Sequence, residues 1–296
     1  MRLIPEMKKF NYFSCLLIPL ATLFIIVNRQ NASDLPQKII SLAPHMTEIV
    51  FKLGADDRLI GRTEFCIYPA EAQDIPSVGG YLNPDYEKIV SLKPDLILML
   101  PNEDMERKLH ELGLNTYSIW NETIEEIKQT ILGIGSKVGC EERAGKVVRG
   151  IEDTLKLVQQ FATGKEERRT LFLVGREEGT LKGLYAAGKE TYLSKIWSLC
   201  GGQNVYSDVE QKYFNVSKED LIARNPDYIL EFRIIPDEIV ASKMAKLKAD
   251  WGLFPTLTAV RKQRIFIFHE RYLLIPGPRI SKIAIRFSEI LNRERQ

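Results

Sequence analysis

The chain carries the same twelve-residue pattern twice, and this repeat constrains its fold more than any other feature. Residues 87–98 read EKIVSLKPDLIL and residues 219–230 read EDLIARNPDYIL. Each copy predicts a short helix that begins with a glutamate, then a turn at the proline, and then a buried parallel strand. The helix is expected to end before the proline, because the residue that precedes a proline disfavours the α conformation. The repeat predicts two lobes built alike. The alternative is that both copies are ordinary αβ units, which occur in any α/β protein.

The N-terminal segment differs in composition from the rest of the chain. The 296 residues together are enough for two domains, each with its own core. Lys8 and Lys9 precede an uncharged apolar run from Tyr12 to Val27, which is the form of a secretory signal. We therefore predict that residues 1–32 are a signal peptide or, as the alternative, an uncleaved N-terminal anchor. In both cases the protein is exported, either to the periplasm or tethered to the outer face of the cytoplasmic membrane.

The positive net charge of the chain comes entirely from this leader. The whole chain has 41 basic and 39 acidic residues, and residues 1–32 contain four of the basic and one of the acidic ones, which leaves 37 against 38. A nearly neutral exported protein is not expected to bind nucleic acid. The three cysteines that remain, Cys66, Cys140 and Cys200, are too widely spaced for a disulfide framework or a CxxC metal site. We expect them to be small buried hydrophobic residues, although one disulfide stays open.

Strands and helices are predicted to alternate through both halves of the chain, which indicates an α/β fold with parallel sheets. A first α/β lobe is expected over residues 37–140 and a second over residues 168–296, so that residues 37–296 form one unit. Between them, residues 141–163 are expected to form a single connecting helix, because apolar side chains recur there at helical spacing with charges on the other faces.

The sequence does not predict an enzyme. It has neither the phosphate-binding GxxxxGK[ST] pattern nor the nucleophile pattern GxSxG, and the glycines at 133–139 have the wrong spacing for a dinucleotide site. Three histidines are present, at positions 45, 110 and 269, and His45 forms only a weak HxxE pattern with Glu48. We therefore predict no catalytic residues, no resident metal and no cofactor.

An ordered set of short motifs covering residues 38–291 resembles the iron-chelate and vitamin B12 substrate-binding proteins of ABC importers. The motifs are SLAP at 41–44 with TEI at 47–49, CIYP at 66–69, VGG at 78–80, the two repeats, GK at 188–189, CGGQN at 200–204 and GPR at 277–279. The resemblance implies two Rossmann-like lobes bridged by one long helix, with the ligand cleft between the lobes. It also implies a monomer that delivers its ligand to a permease dimer with its ATPase.

The resemblance assigns a function to the repeats. In this family a glutamate on each lobe docks onto arginines of the two permease subunits, and Glu87 and Glu219 occupy matching positions. Two equivalent acidic residues on two similar lobes also suit a two-fold symmetric basic partner on physical grounds alone. The alternative, that both glutamates only complement a helix dipole, is compatible with docking.

The closest resemblance is to the vitamin-B12-binding branch, whose cleft is lined by aromatic side chains. The corresponding residues are expected to lie in loops between the lobes, where aromatic faces suit a flat and mostly apolar corrinoid. They are Phe65, Tyr81, Tyr185, Tyr213 and Tyr272. His45 is added as a ligand contact, because its loop should face the cleft. The second-lobe disulfide of that branch is not reproduced, since Cys200 matches one half but Ser288 stands at the other.

Other functions stay open. A ferric siderophore or haem is the alternative ligand, with His45 as a candidate iron ligand. In that case Arg176, Arg271 and Arg279 are candidates to bind the ligand's carboxylates. An enzyme of corrinoid or tetrapyrrole metabolism is the alternative from another class. It would convert its ligand, whereas a receptor would return it unchanged.

Overall fold

A computed structural model describes residues 35–162, 167–235 and 239–293. The predicted leader, residues 1–32, lies outside these ranges. Within them, no helix is long and apolar enough to cross a membrane.

The first lobe is built on a four-stranded parallel sheet with the order β2-β1-β3-β4. Its strands are β1 Ile39–Ser41, β2 Leu59–Arg62, β3 Leu96–Met99 and β4 Thr116–Ser118. Its helices are α1 Pro44–Leu53, α2 Tyr86–Leu92, α3 Glu103–Glu111 and α4 Ile124–Lys137. Helix α4 begins with a capping box, because the Thr123 hydroxyl accepts from the Glu126 amide and the Glu126 carboxylate accepts from the Thr123 amide.

A single long helix, α5 Glu141–Ala162, follows the first lobe and agrees with the helix predicted from the apolar spacing. Five of its residues are buried at intervals of three or four, which places them on one face of the helix. They are Ala144, Val148, Ile151, Leu155 and Val158.

The second lobe has a six-stranded mixed sheet with the order β10-β9-β5-β6-β8, and β7 pairs with the beginning of β5. Its strands are β5 Arg168–Gly175, β6 Leu184–Ala187, β7 Gly202–Asn204, β8 Tyr213–Val216, β9 Tyr228–Phe232 and β10 Ile265–Phe268. Its helices are α6 Tyr192–Leu199, α7 Lys218–Arg224, α8 Val240–Asp250, α9 Thr258–Arg261 and α10 Ile280–Arg293.

The sequence repeat is a structural repeat. The parallel strands of the second lobe are β5, β7, β9 and β10 in chain order, and they lie across the sheet in the order β7-β5-β9-β10. The first lobe has the same arrangement, β2-β1-β3-β4, in which the second strand lies outside the first and the third and fourth follow on the other side. The two copies of the pattern form α2 with β3 and α7 with β9, so each provides the third parallel strand of its sheet. Both helices have seven residues and end at a residue in the left-handed conformation, Lys93 and Asn225.

The prediction of a purely parallel second sheet needs a correction. Strands β6 and β8 are antiparallel to their neighbours and extend the sheet beyond the parallel set. The sequence does not predict either strand, because each is only four residues long and occurs among glycines and charged residues that indicate loops. Tyr185 and Tyr213, expected in loops, lie on these two strands.

One hydrophobic core extends through both lobes. It contains residues of β1 and α1, the buried face of α5, and residues of β5, α6 and α10. In its second-lobe part the ring of Phe287 lies 5.3 Å from Trp197 and 6.0 Å from Phe172, measured between ring centroids.

Cys66 and Cys200 are buried and Cys140 is half-buried, and all three are free thiols, as expected for small hydrophobic residues.

We expect Phe287→Ala to lower the free energy of unfolding by about 3–5 kcal/mol, because the cavity would open in the second-lobe part of the core, among Trp197 and Phe172. Chemical denaturation measures this change. Ile285→Ala is the matched control on the same helix, since its side chain is 49% exposed, and it should stay within about 0.5 kcal/mol of the wild type. Equal effects of the two substitutions would contradict the burial of Phe287 in this core.

Candidate functional site

A cavity of about 510 Å³ lies between the lobes, at the carboxyl ends of the first lobe's parallel strands. Residues that follow β1, β2, β3 and β4 form one wall, and this is the edge at which open α/β sheets bind ligands. The opposite wall comes from the end of β5, from β6, α6 and β8, and from the segment Leu274–Pro276 after β10. Both halves of the repeat fold therefore contribute to the same cavity.

Aromatic side chains dominate this cavity. Phe65, Trp120 and Tyr185 are 56%, 55% and 41% exposed, which is high for residues of this size and leaves their faces open to a ligand. Tyr185 stacks on Tyr213, with ring centroids 6.2 Å apart and an interplanar angle of 25°. Tyr81 is held on the first-lobe side, where its hydroxyl donates to the carbonyl of Leu100 over 3.1 Å.

His45 lies in the first turn of α1 and lines the cavity with only 4% of its surface exposed. Burial lowers its pKa to about 3, so the imidazole is neutral at neutral pH. Its Nε2 atom is buried and has no hydrogen-bond partner among the described residues. Gly277 packs against it, since a Cβ at this glycine would lie 3.1 Å from the Cβ of His45.

Tyr272 is the one predicted ligand-binding residue that does not line this cavity. Its ring centroid lies 5.4 Å from the guanidinium of Arg279, which also lies 4.0 Å from the ring centroid of Tyr68. Arg279 in turn donates to both carboxylate oxygens of the buried Glu48, over 2.8 and 2.5 Å. The chain after Tyr272 turns so that Leu274, Ile275 and Pro276 reach the cavity instead.

None of the three arginines considered as carboxylate-binding residues lines the cavity. Arg279 is paired with Glu48, and its charge, together with that of Lys282, opposes the rise in the Glu48 pKa that burial causes. Arg176 is buried in the second lobe, 3.0 Å from Glu231 and 2.8 Å from Asp250. Among the described lining residues there is no arginine or lysine, so the cavity wall offers no cation to an anionic ligand.

Trp120 and Asn121 belong to the cavity but were missed in the sequence. They come two and three residues after the end of the fourth parallel strand, and this position beyond a strand's carboxyl end is the signal that would have found them. Asn121 is buried, and its side-chain amide nitrogen donates to the carbonyl of Pro276 in the second lobe. Its Oδ1 atom has no hydrogen-bond partner within the described ranges, so the cavity contains an unused buried acceptor.

Contacts beside the cavity join the lobes directly. One is the hydrogen bond from Asn121 to Pro276, and another runs from the amide of Tyr192 to the carbonyl of Glu122 over 2.9 Å. The carboxylate of Glu122 also pairs with Lys212 over 2.8 Å. Because these groups belong to both lobes, the cavity walls are held at a defined separation in the ligand-free protein.

A larger cavity, of about 820 Å³, lies beside α4, α5 and α6 and has a different chemistry. Its lining carries both signs of charge, and Lys128 pairs there with Glu125 and Glu152 over 3.1 and 2.6 Å. Its described lining residues include no exposed aromatic side chain. Solvent and internal ion pairs satisfy such a surface, so the smaller aromatic cavity is the better candidate for an apolar ligand.

Glu87 and Glu219 lie outside the cavity, each exposed in the first turn of its repeat helix. The helices begin in the same way, because the side chain of Asp85 accepts from the Lys88 amide and that of Ser217 accepts from the Asp220 amide. The two glutamates are therefore equivalent in local structure as well as in sequence.

Residues 39–272 match the family model described as periplasmic binding protein. An uncharacterized ABC transporter substrate-binding lipoprotein of Bacillus subtilis is 27% identical over 253 residues, which are 83% of this chain and 76% of that protein. A vitamin B12-binding protein of Vibrio cholerae is 29% identical over 249 residues, which are 82% of this chain and 84% of that protein.

Solved structures agree with the two-lobed fold. The periplasmic vitamin B12 binding protein of Vibrio cholerae superposes with a TM-score of 0.72 at 25% identity, over 88% of this chain and 98% of that one. The periplasmic heme binding protein of the same organism superposes with a TM-score of 0.74 at 20% identity, over 86% of this chain and 98% of that one. The fold alone therefore does not distinguish between these ligands.

His45 should make the protein less stable in acid. Because its pKa is lowered in the folded state, the unfolded chain binds a proton below pH 6.5 that the folded chain does not, and stability falls as the pH falls towards 3. Between pH 7.5 and pH 5 the wild type should lose about 2 kcal/mol more than His45→Leu. Chemical denaturation at both pH values measures this difference, and parallel pH profiles would contradict the assignment.

Proposed function

Because the chain belongs to the periplasmic binding protein family, we propose that it binds a corrinoid of the vitamin B12 type between its lobes and delivers it to the permease of an ABC importer. The chain is exported in this account, and it acts in the periplasm or tethered to the outer face of the cytoplasmic membrane. Its partner is the permease dimer with the attached ATPase.

The chemistry of the cavity wall supports a corrinoid most directly. A corrinoid has a flat, mostly apolar ring that packs on aromatic faces, and its periphery carries amide groups whose N–H bonds need acceptors. Phe65, Trp120, Tyr185 and Tyr213 provide the faces, and the unpartnered Oδ1 of Asn121 provides an acceptor. The absence of arginine and lysine from the described lining fits an amide-bearing ligand better than one with carboxylates.

The relatives point in the same direction. The protein of Vibrio cholerae that aligns with 82% of this chain is a vitamin B12-binding protein. The cavity is open to solvent, since two of its lining residues, Phe65 and Trp120, are more than half exposed. A ligand larger than the cavity can therefore extend beyond it.

Haem is the second candidate, and one observation favours it. A neutral imidazole is a common axial ligand of haem iron. His45 is neutral at neutral pH, lines the cavity and has an Nε2 atom without a partner in the described part of the chain. A ferric siderophore with anionic iron-binding groups has less support, because the described lining has no cation to meet it.

We expect cyanocobalamin to bind the purified protein in a one-to-one ratio, to quench the fluorescence of Trp120 and to be recovered unchanged. Trp120→Ala and Tyr213→Ala should each weaken binding by about tenfold, because each removes an aromatic face of the cavity. Phe161→Ala is the matched control, since Phe161 is 59% exposed on α5 and outside the cavity. Calorimetry measures the affinities.

Haemin and a ferric siderophore are titrated in parallel with cyanocobalamin. Binding of haemin alone, lost in His45→Ala, would replace the corrinoid with haem. Conversion of any of the three compounds by the protein would overturn the assignment as a receptor, in favour of an enzyme.

Docking to the permease should depend on Glu87 and Glu219. Reversing both charges with Glu87→Lys and Glu219→Lys should abolish uptake of labelled cobalamin by cells and leave the affinity of the purified protein for its ligand unchanged. The control is Glu103→Lys with Glu141→Lys, which reverses two other exposed acids in first helical turns. Equal loss of uptake in the control variant would contradict the docking role. Loss of ligand binding in the variant with Glu87→Lys and Glu219→Lys would contradict it as well.

A further inference from the structure

Each repeat helix exposes an apolar side chain beside its glutamate. Val90 and Ile222 occupy the same position of the pattern, three residues after Glu87 and Glu219, and they are 40% and 44% exposed. Residues three apart on a helix are neighbours on its surface, so each glutamate has a β-branched apolar side chain next to it. We call each of these pairs, Glu87 with Val90 and Glu219 with Ile222, a docking patch.

The core does not explain Val90 and Ile222. The residue before each of them, Ile89 or Leu221, is fully buried and attaches its helix to the sheet below. Neither Val90 nor Ile222 belongs to a hydrophobic cluster of the described residues. β-Branched residues are also less favourable than alanine or lysine in an exposed helix. A surface that becomes buried against another protein accounts for their presence in both copies.

The acidic member of each patch is exposed at the start of its helix. Neither Glu87 nor Glu219 forms an ion pair within the part of the chain that the structure describes, although other exposed acids do. The partner that fits both patches presents a basic side chain and an apolar socket twice, in a two-fold symmetric arrangement. A second copy of this chain does not fit, because the like charges of its own patches would repel.

We propose that Val90 and Ile222 are apolar contacts with the two permease subunits, so that each subunit receives an acid and an apolar side chain from one lobe. This inference rests on the proposed docking function and extends it. The glutamates give orientation and a faster encounter, whereas the apolar side chains contribute affinity that salt does not screen.

The test uses the full chain and the permease–ATPase complex of its own importer, purified in lipid nanodiscs. Val90→Ser with Ile222→Ser should weaken binding to the complex by about tenfold, mainly through faster dissociation. Each single variant should give a similar share of the loss, because the patches are equivalent and lie on different lobes. The thermal unfolding midpoint should stay at the wild-type value.

Leu157→Ser with Ile285→Ser is the matched control, since these side chains on α5 and α10 are 51% and 49% exposed. It should bind the complex as the wild type does. Wild-type binding by the Val90 and Ile222 variant would overturn the inference, and so would an equal loss in the control. If the inference alone is wrong, Glu87→Lys with Glu219→Lys still prevents binding; if the docking function itself is wrong, that variant also binds normally.

Discussion

The shared hydrophobic core beneath the two lobes is the constraint on which the rest of the structure depends. Helix α5 buries one face at intervals of three and four residues, and that face packs into a core that includes strands and helices of both lobes. The buried pair of Glu48 and Arg279 and the bond from Asn121 to Pro276 add direct links between lobes. Wide opening would expose this core, so the cavity is largely preformed, and less binding free energy is lost in ordering it.

The repeat made much of this architecture predictable, because helix, turn and buried strand each depend on local sequence. The helix over 141–162 was equally clear, since its apolar spacing has no competing interpretation. Strands β6 and β8 could not be found in this way, because a four-residue strand at a sheet edge is stabilised by pairing with distant residues. The same holds for Arg176 and Arg279, whose partners Glu231 and Glu48 lie 55 and 231 positions away in the sequence.

The ion pairs of Arg176 with Glu231 and of Arg279 with Glu48 change which ligands the cavity is expected to bind. Arginines in a binding protein of this type suggest carboxylate recognition, yet both of these charges are compensated inside the protein. What remains at the described cavity wall is mainly aromatic surface, with a neutral histidine, an unused amide oxygen and Glu122, whose carboxylate is paired with Lys212. Such a surface selects its ligand by shape and hydrogen bonding rather than by charge. On the outside of the lobes the repeat instead exposes two equivalent acids, Glu87 and Glu219, for which we propose contact with the permease.

A crystal structure of the protein grown with cyanocobalamin tests the central claim most directly. The account predicts one corrinoid between the lobes, with its ring against the side chains of Trp120 and Tyr213 and an amide N–H within hydrogen-bond distance of Asn121 Oδ1. The separation of the lobes should change little from the ligand-free protein. A corrinoid in the charged cavity beside α5, or an empty aromatic cavity in a protein that binds haemin there instead, would contradict it.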